Sequence, residues 1–118
     1  MKNLITSRQI AVVLTGDENI RELKKISQYA GWIELRVDCF MRKYPEKDIC
    51  VWVKAIRKQV KSNIIGTVRW HKESQNPGFI ISDDQRIFLY QAIADYVDCF
   101  DVELKSKIAP DVVSLATR

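Results

Sequence analysis

Apolar and polar positions along this chain change period several times, and each change marks an element boundary. Ile10 to Leu14 is a continuous apolar run rich in valine, the pattern of a strand buried on both faces, as in a parallel sheet. Thr15-Gly16-Asp17 interrupts it. Ile20, Leu23, Ile26 and Ala30 then recur at helical spacing, with Asp17 placed as N-cap and Gly31 just past the end. From Trp32 to Asp38 the period drops to two. As a strand, this stretch sends Ile33, Leu35 and Val37 to one face and Glu34, Arg36 and Asp38 to the other. Charges on the back of a buried strand are costly unless they meet partners, water or a ligand, which makes this face a candidate site.

A polar loop carrying Pro45 leads to a second helical stripe, Ile49, Trp52, Val53, Ile56 and Val60. Lys54, Arg57, Lys58 and Lys61 lie mostly off that stripe and read as a solvated outer face. Asn63 to Arg69 is β-branched and apolar and predicts a third strand. A long polar segment follows, in which Asn76-Pro77-Gly78 marks a turn. Ser82 and Gln85 have capping-box spacing ahead of Ile87, Tyr90, Ile93, Ala94 and Val97. Cys99 to Leu104 predicts a fourth strand with Asp101 and Glu103 alternating on it, and Pro110 and Asp111 suit the first turn of a last helix.

Four strand-then-helix units in series predict one α/β domain over residues 1–118, with a parallel sheet built from right-handed crossovers. Two architectures compete. In an open doubly wound sheet both faces of a central strand lie under helices, which would bury Glu34 and Arg36. In a (β/α)8 barrel the same face looks inward and lines the mouth. The charges favour parallel (β/α) units of a TIM barrel, about half of one.

Composition narrows the function classes. The 118 residues are 47% hydrophobic and 29% charged, as in globular domains. The net charge is +4, but the 19 Lys and Arg are interleaved with 15 Asp and Glu and form no basic run, which argues against nucleic acid as a partner. No apolar stretch approaches the ~20 residues of a membrane span, and the first residues lack the apolar core of a signal peptide. Cys39, Cys50 and Cys99 are odd in number with no C-x-x-C spacing, so they read as reduced thiols of a cytoplasmic protein rather than a disulfide framework or a zinc site. Thr15-Gly16-Asp17-Glu18-Asn19 has one glycine and two carboxylates, a poor phosphate cradle.

Glu34-Leu35-Arg36-Val37-Asp38, Thr67-Val68-Arg69 with Glu73 four residues later, Asp101-Val102-Glu103-Leu104 and Leu14-Thr15-Gly16 together resemble the N-terminal half of type I 3-dehydroquinate dehydratase, a lyase of the shikimate pathway. The resemblance runs from about Ile10 to Leu104. It implies a barrel in which a lysine forms a Schiff base with the ketone of 3-dehydroquinate and a histidine moves protons as water is lost. A protonated imine is a better electron sink than a ketone, so no metal or other cofactor is needed. By this resemblance Glu34, Arg36 and Arg69 hold the substrate, Glu73 supports the catalytic histidine, and Asp101 and Glu103 stand behind them. Val13 departs from family members that are polar there.

The family's lysine and histidine come from strands beyond the fourth. His71 does not match the catalytic position and reads as a loop residue. A barrel of this kind needs ~250 residues, so the expectation is a half-barrel: a truncated chain, a split-gene product, or a subunit that completes its core as a homo-oligomer or with a complementing half. The chain alone is then expected to be inactive. The competing reading is a non-catalytic half-barrel that serves binding or assembly.

Overall fold

A computed structural model describes residues 10–74 and 78–117. Four strands, β1 (Ala11–Leu14), β2 (Trp32–Arg36), β3 (Asn63–Thr67) and β4 (Cys99–Asp101), form one parallel sheet in the order β1-β2-β3-β4. Five helices connect or follow them: α1 (Ile20–Tyr29), α2 (Val37–Lys43), α3 (Ile49–Gln59), α4 (Asp83–Ile93) and α5 (Ala109–Ala116). Strand order that follows chain order, with right-handed crossovers, puts every connecting helix on the same face of the sheet. A doubly wound sheet reverses its order at a switch point, and this one does not. The architecture is half-barrel-like, as the charged strand face predicted.

Register sorts the strand residues into two faces. Leu14, Leu35, Gly66 and Phe100 share one row, which packs on the helices. At Gly66 an added Cβ would lie 2.5 Å from Ile93 Cδ1 of α4, so glycine lets that helix approach. Ile33, Leu35 and Ile64 from this face join Leu23, Val53, Ile56 and Ile93 in one buried cluster. The opposite face carries Val13, Glu34, Ile65 and Cys99 in one row and Arg36, Thr67 and Asp101 in the next. Val13 there is 48% exposed, so β1 is not covered on both faces as its unbroken apolar run predicted. It is an edge strand with one face on the helices.

Several boundaries differ from the sequence reading. β2 ends at Arg36, and Val37 and Asp38 open α2 rather than extending the strand. Alternation through Asp38 hid a helical spacing in the same residues: Val37 and Phe40, three apart, are both buried. β3 stops at Thr67 and β4 at Asp101, so Arg69 and Glu103 lie just beyond their strands. α4 ends at Ile93, leaving Val97 outside it.

At the start of α1, Asn19 caps the helix through a bond from Arg21 N–H, while Asp17, the predicted cap, pairs with Lys43 and accepts from Tyr44 Oη at 3.0 Å. The chain leaves α1 through Ala30 in extended conformation, so Gly31 is not needed for a left-handed turn. The capping box of Ser82 and Gln85 and the first-turn Pro110 of α5 are as predicted. Arg57, predicted as a solvated cation, instead binds Val60 O, Ser62 O and Asp98, whereas Lys54, Lys58 and Lys61 are exposed. The predicted turn at Asn76-Pro77 lies outside the described residues, as do Met1 to Gln9.

The loop after β1 is closed by its own side chain. Glu18 accepts from the N–H groups of Thr15 and Gly16 at 3.0 and 2.9 Å, which leaves those donors unavailable to an anion. Gly16 has φ +114°, and an added Cβ would sit 2.9 Å from Phe40 Cδ2. Gly16→Ala is therefore expected to destabilise the fold by about 1–3 kcal/mol, read as a lowered urea midpoint at unchanged slope.

Candidate functional site

The polar groups gather where β2, β3 and β4 end. Parallel strands present their C-terminal ends on one side, and alternation has already put Glu34, Arg36, Thr67 and Asp101 on the open face. Thr67 Oγ1 donates to Glu34 Oε2 at 2.7 Å. The Arg69 guanidinium lies between three carboxylates, with Nη2 3.9 Å from Glu34 and 3.4 Å from Asp101, and Nη1 3.8 Å from Glu103. These are loose contacts, so Arg69 keeps donors for a ligand.

Arg36 is held differently. Its Nε and Nη2 donate to the two oxygens of Asp38 at 3.0 and 2.8 Å, a fork-to-fork pair that leaves Nη1 unused by Asp38. The same hydrogen bonding holds the Arg36 guanidinium more firmly protonated than usual. Asp38 also accepts from the backbone N–H of Arg69 at 3.1 Å. One buried carboxylate in the first turn of α2 thus ties the end of β2 to the end of β3.

Behind Arg69 lies a buried network that periodicity alone did not reveal. Arg86 of α4 is fully buried and donates to Val68 O at 3.0 Å, to Ser106 Oγ at 2.9 Å and to Glu103 Oε1. Glu103 Oε2 accepts from Trp70 N–H at 2.8 Å. Tyr90 Oη accepts from Val68 N–H at 3.1 Å and donates to Asp101 O at 2.6 Å. Burial pushes the Tyr90 hydroxyl up to about 12, so it stays a donor at all ordinary pH. The signal for Arg86 was in the sequence: a cation at i−3 and i−4 from Leu89 and Tyr90 sits on the apolar stripe.

Burial opposes the charge of Glu103, but the bonds from Trp70 N–H and Arg86 outweigh it and hold the carboxyl below its ordinary value of 4.5. A depressed folded-state pKa means that Glu103 contributes its full stability above the unfolded value, and loses it as pH falls below about 4.5 through the folded one. Glu103→Gln is expected to flatten the loss of stability below pH 4.5, measured by urea unfolding across pH 2.5–6.

Of the predicted site residues, Glu34, Arg69, Asp101 and Glu103 come together, and Arg36 joins them through Asp38. Glu73 does not. It lies in the 3₁₀ turn His71–Glu73 with its side chain exposed, and makes no side-chain hydrogen bond or ion pair among the described residues. His71 is half-buried, with Nδ1 buried and unpartnered. The three thiols are half-buried and free, each pushed above its ordinary pKa, first by burial. Among the described residues no group of three or more His, Cys, Asp or Glu is placed to hold a metal, and no helix is long and apolar enough to cross a membrane.

A groove of about 400 Å³ lies elsewhere, between α1, α2 and α3, lined by Leu23, Phe40, Tyr44, Lys47 and Trp52. Phe40 and Trp52 stack at 4.4 Å, and Lys47 lies over the Tyr44 ring. Glu18 and Asp48 on its rim are already bonded to backbone N–H groups. The convergent charges are at the strand ends, not here.

The model of the type I 3-dehydroquinase family matches residues 10–117. The chain belongs to that family. No curated protein and no solved structure matches it. Type I 3-dehydroquinases are lyases that dehydrate 3-dehydroquinate, and the four parallel strands with flanking helices agree with their barrel.

Proposed function

We propose that the strand ends of this dehydroquinase-family chain hold 3-dehydroquinate, and that the 118 residues alone do not dehydrate it. The observation that carries the first part is the pairing of two differently held arginines with Glu34 on one open face. Arg36 is fixed by Asp38 with Nη1 to spare, and Arg69 is loosely placed among carboxylates. A rigid guanidinium fork suits a substrate carboxylate or paired hydroxyls, and Glu34 accepts from a hydroxyl. Val13, beside Glu34 in the register, offers an apolar surface and no polar contact.

The second part rests on what the open face lacks. The strand residues facing it include no lysine, so no amine there can form the imine that makes proton removal feasible. In this reading Glu73 supports a histidine brought by other strands. The open face and the outer edges of β1 and β4 take further strands, supplied by more of the same polypeptide, by a second copy of the chain or by a complementing half. Light scattering after size exclusion, with and without 3-dehydroquinate, is expected to show species larger than the monomer; a monomer at every micromolar concentration tried overturns the pairing.

Calorimetric titration with 3-dehydroquinate tests the site. Binding by the wild type and a loss of tenfold or more in Arg36→Ala are expected, whereas equal affinities mean that the charges serve only one another, as in a non-catalytic half-barrel. Borohydride added to chain and substrate is expected to trap no adduct. A covalent mass increase on a lysine of this chain would overturn the inactivity.

A further inference from the structure

Arg86 is fully buried on a helix that contributes nothing to the open face, yet its contacts converge on a single neighbour of the site. Its Nε holds Val68 O, the carbonyl just before Arg69. Its Nη2 holds Glu103, whose other oxygen takes Trp70 N–H, just after Arg69, and stands 3.8 Å from the Arg69 guanidinium. Asp38 takes the N–H of Arg69 itself. Three successive residues, Val68 to Trp70, are thus pinned by their backbone, two of them through Arg86.

We infer that Arg86 is a positioning residue for Arg69, acting through Glu103 and the backbone on either side. This rests on the reading that Arg69 contacts the ligand. The physical need is clear from the geometry: Arg69 lies two residues past the end of β3, where the sheet ladder no longer holds its backbone, and its own ion pairs are long. A loop arginine left to itself would pay its ordering entropy on binding; one set in place beforehand does not. A planar guanidinium with five donors spread over three nitrogens can satisfy a carbonyl, a hydroxyl and a carboxylate set apart around it, a reach that the compact ammonium of lysine does not match. Ser106, which takes Arg86 Nη1 and donates nothing to the site, orients the fork from behind.

The test uses side-chain nitrogen NMR of Arg69 together with titration by 3-dehydroquinate, in wild type, Arg86→Lys and Glu103→Gln. In both variants the Arg69 Nε–H signal is expected to broaden or exchange with water several-fold faster, and Kd to rise about tenfold. Glu103→Gln serves should Arg86→Lys fail to fold, because the amide keeps an acceptor for Trp70 N–H. Ser62→Ala is the control for plain destabilisation. It removes a bond to Ala30 O at the other end of β3 and is expected to leave the Arg69 signal unchanged. An unchanged Arg69 signal in a folded Arg86→Lys or Glu103→Gln chain overturns the inference, whatever the affinity. A wild type that does not bind 3-dehydroquinate overturns the proposed function instead, while the Arg69 signal still decides the positioning.

Discussion

Arg86→Met is expected to destabilise the protein by about 3–5 kcal/mol. The arginine is fully buried and all three of its bonding nitrogens have partners. Methionine fills similar space but strands the Glu103 carboxylate, 8% exposed, with Trp70 N–H as its remaining close donor. The loss is therefore the cost of a buried charge left with only the longer 3.8 Å contact of Arg69 as counter-charge, rather than the worth of one ion pair. Adding Glu103→Gln to Arg86→Met is expected to recover part of it, because the neutral amide needs no counter-charge and still accepts from Trp70. Urea unfolding of the two single variants and the double supplies the cycle. Additive losses would show that the two residues do not act as a pair.

Asp38→Ala is expected to cost about 3 kcal/mol, since it removes charge-assisted bonds to the Arg36 fork and to the Arg69 N–H from a site that is nearly closed to water. Its effect on the ligand should exceed that of Arg36→Ala, because both arginines lose their hold at once. Asp38→Asn separates the two roles. The amide still accepts from Arg69 N–H but no longer pairs with Arg36 at both oxygens, so most of the stability is expected to return while the affinity does not. Chemical denaturation and calorimetry on the three variants decide between these outcomes.

These two residues show where the sequence was sufficient and where it was not. Glu34 and Arg36 were legible as site candidates because strand alternation is local: a charge at every second position must share a face, whatever packs around it. Asp38 was assigned to the same face for the same reason, and that was wrong in detail. The strand ends at Arg36, and Asp38 reaches Arg36 from the first turn of a helix. Seven-residue α2 left no clear signal because its buried positions, Val37 and Phe40, fall where a fading strand pattern also accounts for them.

What the sequence determined by itself is the series of strand and helix units, the capping box at Ser82, the charged face of β2, and membership of a family recognisable from short motifs. All of these depend on residues within about a turn or a strand of one another. The tertiary structure alone decided that Asp38 and Glu103 are tied to the residues around Arg69. It also decided which partners the buried arginine of α4 takes. Those facts rest on partners some 17 to 33 positions apart. Spacing along a chain cannot say which carboxylate will meet a buried guanidinium; only the packing that removes water from both makes the pairing necessary.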